Sequence, residues 1–405
     1  MKLKEVIFVA VLLALIAVGF LGAYQMHFEP LIPVEPYEAS LGYPWRTLVA
    51  LYVFLVLIGT AAIASAAEVL GIKELESVAK EAILVGIITI AVGLVTIAVD
   101  LERIERGSYA LLGHANAMSV MFWMIMFYVL EMFFLILEGW FYFRSDLLKQ
   151  SELRNFKGFV AKILSLRFLG GFFAKINKSL DIGLAKVIGV FALITAILAY
   201  SNLGALFSVT HIPLWNDATN PLYFILTAIA AGSAVLMFVT IVTSWIKGNL
   251  SQEKMSALIV LRKTLAFTLI AAILFSAWKF VIIGYPAISQ QATFSVQNLL
   301  FGRFALNFWF LEFFVGMLSP LIILLLVSKN VDAFFVASSL VIIGLFAFRI
   351  DFIFSAQVVK QVSGVTIATS VHPFEVMFAI GALSLAILLY YVLYKLLPME
   401  VEHAS

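Results

Sequence analysis

The 405-residue chain contains no cysteine. Disulfides, thiolate-ligated iron–sulfur clusters and cysteine-ligated zinc are thereby excluded within it, so a redox metal must use other ligands or belong to a partner. Charge is scarce too. Asp, Glu, Lys and Arg make up 12% of residues against 63% apolar ones, which excludes a soluble domain. Among the prolines, Pro44, Pro221, Pro286 and Pro373 stand at the ends of apolar runs, and only Pro320 lies inside one. The five histidines, His27, His114, His211, His372 and His403, offer no mid-run pair that could sandwich a haem. Neither haem nor iron–sulfur cluster is expected in this chain.

What the sequence has in abundance is apolar runs of membrane-crossing length. The pattern predicts an all-α integral membrane protein with ten spans at about 4–24, 45–68, 78–99, 117–142, 182–208, 220–246, 262–284, 304–328, 332–355 and 373–397. The first run follows Lys2 and Lys4, but no small-x-small cleavage site closes it, so it reads as an uncleaved span. With the amino terminus inside, 19 of the 26 Lys and Arg residues fall on the inner side. Both termini are therefore expected in the cytoplasm, with the chain in the cell membrane. No polar domain hangs off either side, and no nucleic-acid partner is expected.

The segment from Tyr142 to Asp181 is the one extended polar interruption. It carries eight basic residues against three acidic ones and breaks at Gly170-Gly171. Short amphipathic helices lying on the inner membrane surface, against lipid, are expected there. A weak internal echo links Pro44-Trp45 and LYVFLVLIGTAAIAS with Asn220-Pro221 and LYFILTAIAAGSAVL. Another links Phe122-Trp123 with Phe308-Trp309, each followed by a glutamate. These echoes suggest two related four-helix bundles, 45–208 and 220–355, flanked by the first and last spans. Small residues such as Gly59, Ala61, Ala62, Gly232 and Ser233 would let helices approach closely.

Four histidines, all but His403, fall at the outer ends of spans, either as plain interfacial residues or in a proton-exchanging pocket. Around them are Asp100, Arg103, Arg106, Tyr200, Asn202, Trp215, Asn216 and Asp217, with Gln290, Gln291, Gln297, Asn298 and Arg303 in a further outer loop. Inside the bilayer, ionisable groups are rare and usually face the bundle interior. Glu312, Glu131, Glu138 and Glu68 step from the outer to the inner side, and Asp351 lies near the outer end of span 9. They form either a proton relay or separate helix-packing hydrogen bonds.

Several passages resemble a known family. DLERIERGSYALLGHANAMSVMFW is similar to the D-L-G-R-P-E-R…N-x-x-S-x-x-x-W stretch of the NrfD/polysulfide-reductase-like (PsrC) membrane subunits. AYSNLGALFSVTHIPLWNDATNPLYFIL resembles their Y-T-G-F…P-x-W-N…P-L-x-F-L segment, and FWFLEFFVGMLSPLIILL their W-x-x-E…G-x-x-x-P-L helix. The tail from Phe348 to Pro398 is similar to the ending of the ten-helix branch that includes HybB- and DsrP-like subunits. Glu102 and Ile104 stand where the family has glycine and proline, and Ser201-Asn202 where it has Thr-Gly.

The resemblance implies a quinone-reactive anchor without its own metal cofactor. Such an anchor exchanges electrons with a four-cluster ferredoxin-like iron–sulfur subunit on the outer face, which serves a molybdopterin or other catalytic redox subunit. By position, Tyr200, Asp100, Arg103, Trp215, Asn216, Glu312, Arg349, Gln357 and Glu375 fall on motif residues. Tyr200, His114 and His211 are the expected quinone-headgroup partners, with Asp100 and Arg103 beside them. Two other classes stay open. A secondary transporter would show helices broken at mid-membrane in corresponding spans. A purely structural anchor would need no acids in the bilayer.

Overall fold

The computed structural model describes residues 3–28, 47–101, 116–212, 214–285, 290–357 and 371–399. Among these residues there are helices and turns and no strand. Ten of the helices they form are long and apolar enough to cross a membrane. They are Leu3–Phe28, Thr47–Leu70, Lys73–Asp100, Val120–Gln150, Lys178–Ser208, Asn220–Lys247, Gln252–Ile283, Asn307–Leu326, Val331–Ala356 and Pro373–Leu396, numbered spans 1 to 10. The side on which span 1 begins and span 10 ends is the terminal side, and the other is the distal side. Span 4 packs on span 5, span 2 on span 3, span 7 on span 6 and span 8 on span 9. Spans 6 and 9 tie these pairs together, and span 1 leans on span 10, helped by Lys395 Nζ–Glu5 Oε1 at 2.8 Å.

Two spans overrun their expected ends for one reason. Span 4 continues to Gln150 because Phe143, Leu147 and Leu148 bury one face while Arg144 pairs internally with Asp181. Span 7 begins at Gln252, where the Ser251 hydroxyl caps Lys254 N–H. Lys254 then pairs with Glu81 at 2.6 Å. Hydropathy ends a span where charge begins, but a charged turn stays helical when its charges find partners. The distal loop after span 7 also holds a helix, Gln290–Phe301, too polar to announce itself as a span.

Span 2 is broken. One helix ends at Val56, another starts at Thr60, and Gly59 N–H donates across to Ala228 O of span 6 at 3.2 Å. Gly232 meets Gly59 backbone to backbone: a Cβ on Gly232 would come within 2.5 Å of the Gly59 carbonyl carbon. The discontinuity expected of a transporter thus occurs in span 2, while the corresponding span 6 runs unbroken.

Span 8 is distorted differently. Asn307–Leu318 runs as π-helix, and Ser319 N–H bonds back five residues to Phe314 O. Pro320 explains it. Proline has no N–H to donate and its ring clashes with the carbonyl four residues back, so the preceding turns widen. Glu312 sits in this widened stretch.

Between spans 4 and 5 lie the helix Phe156–Leu164 and two 3₁₀ turns, Arg167–Leu169 and Gly171–Ala174. The expected break at Gly170-Gly171 is there, with both residues at positive φ.

Candidate functional site

The polar core of the distal half starts from Glu131 on span 4, fully buried. The Tyr200 hydroxyl of span 5 donates to its Oε1 at 2.9 Å. Tyr128 lies one turn before Glu131 on the same helix face, also fully buried, with its ring edge-on to Tyr52 of span 2 at 6.3 Å. The Tyr52 hydroxyl contacts Met124 Sδ at 3.6 Å. The Tyr128 hydroxyl and Glu131 Oε2 have no hydrogen-bond partner among the described residues. A buried polar atom left so costs about 1–3 kcal/mol unless water or a ligand completes it.

A second centre adjoins it. Arg349 of span 9 is wholly buried between the rings of Phe224 and Phe348, at 4.8 and 4.7 Å, and its Nη2 donates to Thr227 Oγ1 at 2.8 Å. Its Nη1 finds no acceptor among the described residues. Tyr128 and Glu312 of span 8 both lie near enough to the guanidinium for its charge to bear on them. Glu312 lies beside Asp351 and within the field of Lys279 of span 7. Lys279 Nζ donates to Asn220 Oδ1 at 2.7 Å and faces Asp217 Oδ2 at 3.4 Å. The Tyr223 and Ser276 hydroxyls share a hydrogen bond of 2.8 Å nearby. Spans 4 to 9 thus contribute to one polar array. A groove of about 380 Å³ runs along span 7 from Ala271 past Leu274, Phe275 and Trp278 to Ile283, with Lys279 and Asp217 in its wall.

Toward the terminal side, Ser65 Oγ donates to Glu138 Oε2 at 2.7 Å. Gly189 of span 5 leaves room there: a Cβ on it would lie 3.0 Å from Glu138 Oε1 and 3.8 Å from Glu68 Oε2. Glu131 and Glu138, seven residues apart, are separated by about 10 Å of helix rise. Nearest the terminal surface, buried Glu81 accepts from Lys254 and, at 2.9 Å, from Thr240. Lys80 is held by Asp146 at 2.7 Å and by Pro398 O at 2.6 Å.

These positions sort the residues singled out from sequence. Tyr200 meets Glu131, so its proton is directed to the acid and away from a ligand. His211 is exposed in the turn beyond span 5, past the eight residues and about 12 Å of helix rise that separate Tyr200 from Ser208, and no hydrogen bond joins the two. Asp100 ends span 3. His372 caps span 10 through Phe374 N–H at 3.3 Å, and Glu375 completes the box while accepting from Thr47 at 2.7 Å. Trp215 is a packing residue: its Nε1 donates to Phe352 O at 2.7 Å and its ring meets Phe207 and Phe352. Arg103, Arg106, His114, His403 and the side chains of His27 and Gln291 lie outside the described residues. Sequence reasoning missed Tyr128 and Glu81, and gave Arg349 no contact. Tyr128 was findable from its spacing to Glu131.

Among the described residues, no group of three or more His, Asp or Glu could hold a metal ion. Tyr128 Oη and Arg349 Nη1 are buried and have no hydrogen-bond partner among the described residues; both can donate, which is the chemistry a quinone's carbonyl oxygens would require.

Fold and site together define a class: an all-helical multi-pass membrane protein whose buried acids, tyrosines and arginine meet in one array in the distal half. Residues 37–362 match the family described as Polysulphide reductase, NrfD, and the chain belongs to that family. A selenate reductase subunit from Mesobacillus selenatarsenatis is similar to it, 22% identical over 376 residues that make up 88% of this chain and 86% of that protein. The chain is accordingly a membrane subunit of an oxidoreductase.

Proposed function

We propose that the chain is the quinone-interacting membrane subunit of a respiratory oxidoreductase. It exchanges electrons with a ferredoxin-like iron–sulfur subunit on the distal face, which in turn serves a molybdopterin or other catalytic subunit. The distal side is the outer side in this reading, because the Lys and Arg residues crowd the terminal side. The observation that carries it is the Tyr200–Glu131 pair set beside the partnerless Tyr128 hydroxyl, all buried. Similarity to a selenate reductase subunit supports the respiratory setting.

A bound quinone supplies a two-electron, two-proton couple. Tyr128 and Arg349 would hold its carbonyls, and their burial keeps water away. Glu131 takes up or returns a proton at Oε2, while Tyr200 keeps the carboxyl oriented through Oε1. Glu138, steadied by Ser65, and Glu68 extend the route toward the terminal side, and Glu312 with Asp351 offers a second store across Arg349. Tyr200→Phe, Tyr128→Phe and Glu312→Gln should each lower quinol-coupled electron transfer in membranes while the partner's activity with soluble dyes stays intact. Unchanged quinol-coupled rates in all three would overturn the assignment.

The groove on span 7 favours a second reading, in which the headgroup sits at Lys279 and the tail lies along Leu274 and Trp278. Lys279→Met would then abolish quinol-coupled transfer while Tyr128→Phe would not.

A further inference from the structure

The Phe156–Leu164 helix has three distinct faces. At about 100° per residue, Gly158 and Ala161 fall together and are buried, Ala161 against Phe143 and Leu147 of span 4. Phe156, Phe159 and Ile163 fall on the opposite side, with 70%, 60% and 48% of their surface exposed. Lys157 and Lys162 stand at the two edges of that apolar arc. Arg154 and Lys162 line an open groove of about 310 Å³ around the helix's first turn. Arg167 is engaged by Ser151 at 2.8 Å and Glu152 at 3.6 Å. Among the described residues, Arg154, Lys157 and Lys162 enter no ion pair.

The helix also has a defined level. Trp140 Nε1 donates to Leu164 O at 2.8 Å, and Trp140 stands ten residues before the end of span 4. The helix therefore folds back along the span and does not project into water. Arg144 Nη2 holds Lys175 O at 2.9 Å, and Arg144 with Ser145 clasps Asp181, which fastens the far end of the segment.

We propose that this segment is a binding site for an acidic phospholipid of the adjoining leaflet. The phosphate headgroup lies in the Arg154–Lys162 groove, and Phe156, Phe159 and Ile163 enter the acyl region. An apolar arc edged by lysines is the pattern of a helix lying in the membrane interface, where the lysine stems follow the hydrocarbon and their ammonium groups reach the phosphates. The level set by Trp140 favours lipid over a soluble protein partner, because the arc then faces acyl chains. Zwitterionic headgroups would leave the three cations without net counter-charge. The site rests on this helix alone and is independent of the quinone reading.

Native mass spectrometry of the purified full-length chain tests it, with phosphatidylglycerol and phosphatidylcholine offered in equal amounts. The wild type should retain phosphatidylglycerol preferentially. Arg154→Gln/Lys157→Gln/Lys162→Gln should weaken that retention roughly tenfold or more, while Lys73→Gln/Lys329→Gln leaves it unchanged. Phe156→Ser/Phe159→Ser should weaken retention of both lipids. Should the triple variant fail to fold, single Arg154→Gln keeps the comparison, with a smaller loss expected. Equal retention in wild type and charge variants, no preference over phosphatidylcholine, or displacement by inorganic phosphate alone would each overturn the proposal.

Discussion

The Tyr200 hydroxyl donates to Oε1 of Glu131 at 2.9 Å, joining spans 5 and 4 where both residues are fully buried. The two are 69 positions apart in the chain, yet their helices bring hydroxyl and carboxylate into direct contact. The bond leaves Oε2 of the acid without a hydrogen-bond partner among the described residues, as the proposed proton exchange at that oxygen requires.

Tyr200→Phe and Glu131→Gln should each lower quinol-coupled electron transfer by roughly 10²-fold, the usual scale for losing a placed proton-transfer group. The double variant should be little worse than either single one, because the two act as a unit. Steady-state rates in membranes, with dye-linked activity as control, give the comparison; multiplying losses would show independent roles.

Gly189→Ala should disturb the Glu138 and Glu68 neighbourhood without touching the distal centre, since the new methyl would sit 3.0 Å from Glu138 Oε1. Proton uptake in proteoliposomes, followed with a pH-sensitive dye, should slow at least as much as with Glu138→Gln. Electron transfer in uncoupled membranes should hardly change. Equal loss in both assays would place these acids in the redox site instead.

Arg144→Ala or Asp181→Ala should destabilise strongly, by about 3–5 kcal/mol, because each leaves a buried charge without its counter-charge. The joint replacement should cost less than the sum of the two. Thermal unfolding in detergent would show this, and additive losses would argue that the pair is not coupled.

Gly232→Ala should destabilise by about 1–3 kcal/mol or more, because the clash is with backbone of span 2 and no side chain can swing aside. A melting temperature equal to the wild type would mean that spans 2 and 6 do not cross in backbone contact.

Most of the fold was legible beforehand because a span announces itself through a local sum of apolar residues. The ten spans and the burial of Glu131, Glu138 and Glu312 follow from that, and the break at Gly170-Gly171 follows from the glycines themselves. The site was legible only in pieces. Tyr200 and Glu131 stood in different groups, one assigned to ligand and one to protons, and His372 stood among the polar residues of the outer face although it is a helix cap. A hydroxyl's partner depends on the rotation and depth of two helices, and neither is written in either run.

Sequence by itself determined what had to be in the membrane, how many times the chain crosses it, and which rare ionisable groups were carried along, because burial in hydrocarbon is an additive property of neighbouring residues. Tertiary structure alone decided that Arg349 is buried between the rings of Phe224 and Phe348, that span 2 breaks at Gly59 and that span 8 widens around Glu312. Those depend on contacts between residues far apart in the chain, where close packing and the need to pair buried polar groups select one arrangement among many that hydropathy permits.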